Sequence, residues 1–307
     1  MRHIALIIGN GFDLDLGLLT KYSDFADSKN KEWNDFLNMS GTILNPCFQI
    51  DFVNHMRHAR EYSNWFDIEH EILLFAATHN DLEDEQIGLI RLQYEMLVKC
   101  LRLYIYRQAT TTIVQEDSLA YILLHNLNEG QHPVGIYSFN YTDCINLCKC
   151  KKRDNISFHP IHGTLFYDMT LGCRIYDDRK ENVQLDFMYK PIINPQTDIL
   201  KQNLTKASEV IVFGHSLNKI DYCYFKDFFD AVELGENVCK HLTFICKNIE
   251  SEEIIRQNIS GNTSLSKTER YINLNFIYTD SWNKKERGTI GKIEELMDRN
   301  GIETNII

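Results

Sequence analysis

The sequence predicts an α/β fold built on a parallel sheet, and two observations carry that expectation. Short, almost continuously apolar runs recur along the chain: residues 3–8, Val134–Phe139, Ser157–Ile161, Glu209–Phe213, Leu242–Cys246 and Leu274–Ile277. Strands covered on both faces read this way, because neither face meets water. Helical patterns separate several of the runs, and strands alternating with helices assemble parallel sheets.

The elements follow in order. The first run ends in Gly9-Asn10-Gly11, where a strand turns into a helix. From about Lys21 to Glu129 the pattern changes to long amphipathic stretches. Phe66, Ile68, Ile72, Leu73 and Phe75 fit an amphipathic helix, as do Ile87, Ile90, Leu92, Met96, Leu97, Leu101 and Ile105, and both sets read as core packing. This stretch reads as a helical insertion after the first strand, able to lid a ligand or make an oligomer contact. The remaining strands come after it. Residues 163–196 are less regular, and Pro191 and Pro195 flank Ile192-Ile193-Asn194 in what reads as a loop or short hairpin. Residues 303–307 read as a last edge strand.

Composition narrows the function classes. With 307 residues, 44% apolar, the chain can bury a sizeable core. Its net charge of −11 disfavours general nucleic-acid binding. The compact basic cluster Lys149, Lys151, Lys152, Arg153 reads as a solvated turn. No apolar run approaches the roughly 20 residues that span a bilayer. The opening Met1-Arg2-His3-Ile4 enters a strand pattern directly, without the features of a signal peptide. A soluble, cytoplasmic protein without a membrane partner is expected, its nine cysteines reduced. Cys144, Cys148 and Cys150 are spaced C-x3-C-x-C, unlike zinc pairs, so buried thiols and no metal are expected.

The residues that carry chemistry sit where the strands end. Glycines in Gly9-Asn10-Gly11-Phe12-Asp13 permit a sharp turn and close approach to a ligand, although a plain turn explains them equally. Asp13 would repel a phosphate, but can bond a ribose hydroxyl or cap a helix. Asn140, in Ser138-Phe139-Asn140-Tyr141-Thr142, offers a donor and an acceptor where open α/β sheets bind ligands. Capping of the next helix is the alternative weighed for Thr142 and, less strongly, for Asn140. His162, in His159-Pro160-Ile161-His162-Gly163, can relay a proton, and His159 is read as structural. Gly214-His215-Ser216, followed by Asp221, offers backbone, hydroxyl and carboxylate groups to phosphate or ribose, with helix capping equally open for Asp221. The second glycine of a hydrolase nucleophile elbow is replaced by Asn218. Together these strand ends predict a nucleotide site.

At this point the chain resembles the AbiH abortive-infection family. The resemblance rests on Leu6-Ile7-Ile8-Gly9-Asn10-Gly11-Phe12-Asp13, Gly17-Leu18, Thr20-x-Tyr22-x-x-Phe25 and Trp65-x-Asp67-x-Glu69. It continues through Phe139-Asn140-Tyr141-Thr142, Ile161-His162-Gly163 and Phe213-Gly214-His215-Ser216-Leu217-x-x-x-Asp221, covering about residues 4–225. The motif order is also similar to that of sirtuin-like proteins, which hold NAD. That likeness implies a sirtuin-like, Rossmann-type parallel sheet: residues 1–20 and 130–307 as the nucleotide-binding domain, and 21–129 as the helical insertion. It implies Gly9 and Gly11 against a pyrophosphate, with Asn10, Phe12 and His215 in the same binding motifs. Asn140 would face the nicotinamide ribose, and His162 would act on its hydroxyl or on water. Gly214 and Ser216 would meet the adenosine side, supported by Asp221, while Asp13 would stabilise charge at the sugar. Sirtuins carry Gly-Ala-Gly where this chain has Asn10 in the middle, and deacylases carry a four-cysteine zinc module that this sequence lacks.

The expected function is phage defence by hydrolysis of the nicotinamide N-glycosidic bond of NAD, the ligand or substrate. A non-turning-over NAD or ADP-ribose sensor is the alternative, and a metal-dependent nuclease using Asp67, Glu69 and Glu71 is a weaker one. A homo-oligomer and a phage-derived trigger are the partners considered.

Overall fold

The computed structural model describes residues 3–41, 51–62, 66–151, 153–167, 169–172, 182–190, 195–236, 239 and 241–302. The expectations placed on Pro191 to Asn194, on Trp65, on Lys152 and on residues 303–307 lie outside the described residues.

Six strands form one wholly parallel sheet: β1 (Ile4–Ile8), β2 (Val134–Ser138), β3 (Ile156–Pro160), β4 (Glu209–Phe213), β5 (His241–Cys246) and β6 (Asn273–Tyr278). Their order across the sheet is β3-β2-β1-β4-β5-β6. This is a Rossmann-like arrangement, in which the chain moves outward from β1 first in one direction and then in the other. The apolar runs forecast β1, β2, β4 and β5 because both their faces are covered, whereas the edge strands β3 and β6 are only partly buried. Ile4, Leu6 and Ile8 enter one core and Ala5 and Ile7 the other, as the two-residue alternation of a strand requires. The first core is closed by Leu119, Leu123 and Leu127 of the helix Leu119–Glu129 and by Ile293, Leu296 and Met297 of the helix Arg287–Arg299. The second is closed by Leu200 and Leu204, by Phe228, Phe229 and Val232, and by Ile255 and Ile259, each set from one helix.

The chain divides into two compact units. One comprises residues 1–18, 112–164 and 193–307 and holds the whole sheet. The helix Leu119–Glu129 belongs to it. The other comprises residues 19–111 and 165–192 and is helical in its described part, the longest helix being Asp84–Thr111. Its interior is aromatic: Phe25 meets Trp33 and Tyr104, Trp33 meets Phe66, and Phe52 meets Phe75, all edge to face. Such pairs add roughly 0.5–1.5 kcal/mol each beyond the area they bury. A buried ion pair, Lys190 Nζ to Glu69 at 3.0 Å, ties residues 165–192 into this unit. Among the described residues no helix is long and apolar enough to cross a membrane.

Candidate functional site

The loops after β1 and β4 lie side by side where the chain's direction of travel across the sheet reverses. Crevices for ligands form at such switch points, at the carboxyl ends of the strands. In this sheet the two loops are bonded by their backbones: Gly9 N–H donates to Phe213 O and Gly11 N–H to Gly214 O, both at 2.9 Å. A Cβ on Gly11 would stand 2.5 Å from Gly214 Cα, and one on Gly9 2.6 Å from Gly214 O. Gly214 also needs its φ of +65°, a left-handed conformation that suits glycine. Close approach of the two loops therefore accounts for all three glycines. Helix Asn10–Asp15 follows directly and carries Phe12 into the core, against Phe213.

Asp13, on that short helix, is 2% exposed and anchors the first polar network. Asn140 Nδ2 donates to its Oδ1 at 2.8 Å and to Gly9 O at 3.0 Å. Thr142 Oγ1 donates to Asp13 Oδ2 at 2.8 Å. Burial pushes the Asp13 carboxyl up to about 6, and the bonds from Thr142 and Asn140 recover only part of that rise. Asn140 is aimed from behind by Ser138, whose hydroxyl accepts the Asn140 N–H at 3.2 Å. Thr142 does not cap the next helix. Its neighbour Asp143 does, accepting from Ile145 N–H and Asn146 N–H.

The second network lies beside the aromatic ring of Phe139. Asp221 stands between two imidazoles, with His162 Nε2 3.7 Å from Oδ1 and His215 Nε2 3.4 Å from Oδ2. All three side chains are buried. The tautomer of His215 follows from its other nitrogen. Nδ1 accepts the Leu217 N–H at 3.0 Å, so the ring proton sits on Nε2 and is directed at Asp221. Leu217 holds a φ of +52°, strain that persists only where the surroundings enforce it. Phe139 packs on both imidazoles at ring distances of 5.2 and 4.5 Å, and Tyr224 and Phe225 complete the cage. Asp221 makes no capping bond through its side chain. Gly163 turns the chain after His162 with φ +77°. Ser216 is half-buried, and its carbonyl accepts from Asn258 Nδ2 at 2.8 Å.

The residues singled out in the sequence thus form two groups: Asp13 with Asn140, and His162 with His215 and Asp221. Tyr224, Phe225 and the role of Thr142 escaped sequence reasoning. The aromatic run Tyr222-Cys223-Tyr224-Phe225 directly after Asp221 was the signal available. His159 stacks on Tyr137 and bonds Gln196, in keeping with a structural part. The three carboxylates weighed for a nuclease each have protein partners: Asp67 caps the helix Ile68–Thr78, Glu69 pairs with Lys190, and Glu71 with His55 at 3.1 Å. Cys144 and Cys148 are buried, and burial raises both thiols, so they stay protonated.

Neither a curated protein nor a solved structure matches the chain. The family described as Bacteriophage abortive infection AbiH matches residues 5–244, a span that includes β2 to β4, all of β1 but its first residue, and the site residues after these four strands. The chain belongs to the AbiH family of bacteriophage abortive infection.

Proposed function

We propose that this abortive-infection protein acts by hydrolysing the nicotinamide N-glycosidic bond of NAD. The observation that carries the reading is Asp221 held between two imidazoles at the β1/β4 switch point, within a buried aromatic cage. Burial strengthens every charge interaction there.

Water attacks C1′ of the nicotinamide ribose as the C–N bond breaks. The bond's electron pair neutralises the pyridinium ring, so nicotinamide leaves uncharged and no strong acid is needed. His162 takes the proton from water, a contribution typically of about 10²–10⁴-fold. Asp221 stabilises the imidazolium that results. His215, neutral and with its proton fixed on Nε2, holds Asp221 in place. Asn140 has its amide N–H groups committed to Gly9 and Asp13, so its Oδ1 is the atom that would accept from a ribose hydroxyl. Asp13 fixes Asn140, and its buried negative charge favours the cationic sugar. Gly214 and Ser216 would meet the adenosine side.

The test is to incubate the purified protein with NAD and follow nicotinamide by chromatography. Wild type should release it, whereas folded His162→Ala and Asn140→Ala proteins should not. Full activity in both variants would remove the assignment. Tight ADP-ribose binding by an inactive wild type, with NAD levels unchanged in infected cells, would favour the sensor reading.

A further inference from the structure

The helical unit contains a hollow of about 390 Å³ between the helix Asp84–Thr111 and residues 169–171 and 187–189. That volume lies within the range of roughly 300–1,000 Å³ usual for small-molecule sites. It is lined by Tyr94, Phe187 and Tyr189, with Lys99, Arg102 and Glu95 of the long helix.

Two features set it apart. Lys99 and Arg102 are three residues apart, so they share a helix face. Arg107 and Arg91 of this unit have carboxylate partners, Glu32 at 2.9 Å and Asp186 at 3.6 Å. Among the described residues neither Lys99 nor Arg102 has one, although Glu95 is a single turn from Lys99. In a chain of net charge −11, two cations against the single carboxylate of Glu95 leave the described lining of this hollow with a positive balance, which favours an anion. The second feature is that the aromatic wall is fixed before any ligand arrives. The Arg91 guanidinium sits 4.3 Å over the Phe187 ring, and Tyr94 lies 5.6 Å from that ring. Tyr94 is itself anchored by donating to the Leu171 carbonyl.

We infer that this hollow binds a nucleoside monophosphate, with the phosphate on Lys99 and Arg102 and the base against the aromatic wall. Guanidinium and ammonium groups suit phosphate oxygens, and a flat ring gains most from stacking on other flat rings. Glu95 supplies an acceptor for sugar hydroxyls or an exocyclic amine. Every residue involved belongs to the helical unit, so the inference stands apart from the chemistry proposed at His162.

The experiment is calorimetric titration of the full chain with AMP, adenosine and inorganic phosphate. AMP should bind saturably, and adenosine and phosphate each at least about tenfold more weakly. Lys99→Gln/Arg102→Gln should weaken AMP about tenfold or more. Both side chains are exposed, so the fold should survive, as circular dichroism will verify. Phe187→Leu should weaken AMP but leave phosphate unchanged. Hydrogen exchange should slow at residues 94–102 and 169–172 when AMP is added. No AMP binding, equal affinity for phosphate alone, or unchanged affinity in the double variant would overturn the inference.

Discussion

Two buried carboxylates lie at the strand ends of one sheet, and their neighbours differ. Asp13 is surrounded by neutral donors, an amide and a hydroxyl. Asp221 is bracketed by two imidazoles. Neutral donors can satisfy a carboxylate but cannot accept a charge from it, so Asp13 acts as a clamp that orients Asn140. In the proposed hydrolysis Asp221 is the carboxylate whose neighbour, the imidazole of His162, takes up a proton. Burial alone therefore does not identify a reactive carboxylate; what surrounds it does.

The largest effect that could break this contrast is on activity. Asp221→Asn should reduce nicotinamide release by about 10²–10⁴-fold, because the imidazolium loses its counter-charge. Its urea midpoint should stay near wild type. A variant of undiminished rate would deny Asp221 its part in the chemistry.

The next effect is on stability. At pH 4, where the carboxyl is protonated and no buried charge is removed with it, Asp13→Ala leaves the Asn140 amide and the Thr142 hydroxyl without their acceptor, and should cost about 2–4 kcal/mol in urea unfolding. A loss below about 1 kcal/mol would mean that Asp13 clamps nothing.

A third measurement separates charge from bonding. The Asp13 carboxyl is raised from 3.8 to about 6 in the native state, so between those values the folded protein binds more protons than the unfolded one. Its contribution to stability therefore falls as pH rises from about 4 to 6 and is gone above that window. Asp13→Asn should accordingly be more stable than wild type at pH 7, by about 2–3 kcal/mol, and the gain should disappear near pH 4. Asp15 is also raised to about 6, chiefly by burial, and remains in both proteins, so the difference isolates Asp13. A gain independent of pH would mean that the buried charge of Asp13 is not its source.

The smallest effect tests a single bond. Thr142→Ser keeps the hydroxyl that reaches Asp13 and loses one buried methyl, costing about 1 kcal/mol in thermal unfolding. A loss as large as that of Asp13→Ala would shift the role of Thr142 from bonding to packing.

The strands could be read from the sequence because each is a local event. A strand covered on both faces reads as an apolar run, and all six runs lie within two residues of the observed limits, those of the partly exposed edge strands β3 and β6 included. The positions of Asn140, His162 and His215 at strand ends were legible for the same reason. Which side chains meet was not. Thr142 and Asp143 are adjacent cap-forming residues, and only the fold shows that the second caps while the first reaches Asp13, 129 residues away. Asp221 equally suited a helix cap until the left-handed turn at Leu217 brought His215 to face it. The grouping of residues 165–192 with the helices of 19–111 depends on contacts such as Lys190 with Glu69, which no local pattern encodes.

The place of β1 at the middle of the sheet has a kinetic consequence. Its hydrogen-bonding partners are residues 134–138 on one edge and 209–213 on the other. A ribosome that has made β1 must add more than a hundred residues before the first partner emerges, and some seventy more before the second. Until then five consecutive apolar side chains have no strand to pair with. Sheets closed by such distant segments fold slowly and expose sticky surface while they wait. The helical stretch synthesised in between, with its own aromatic interior, can fold during that interval, so the newborn chain has one finished piece well before its sheet is complete.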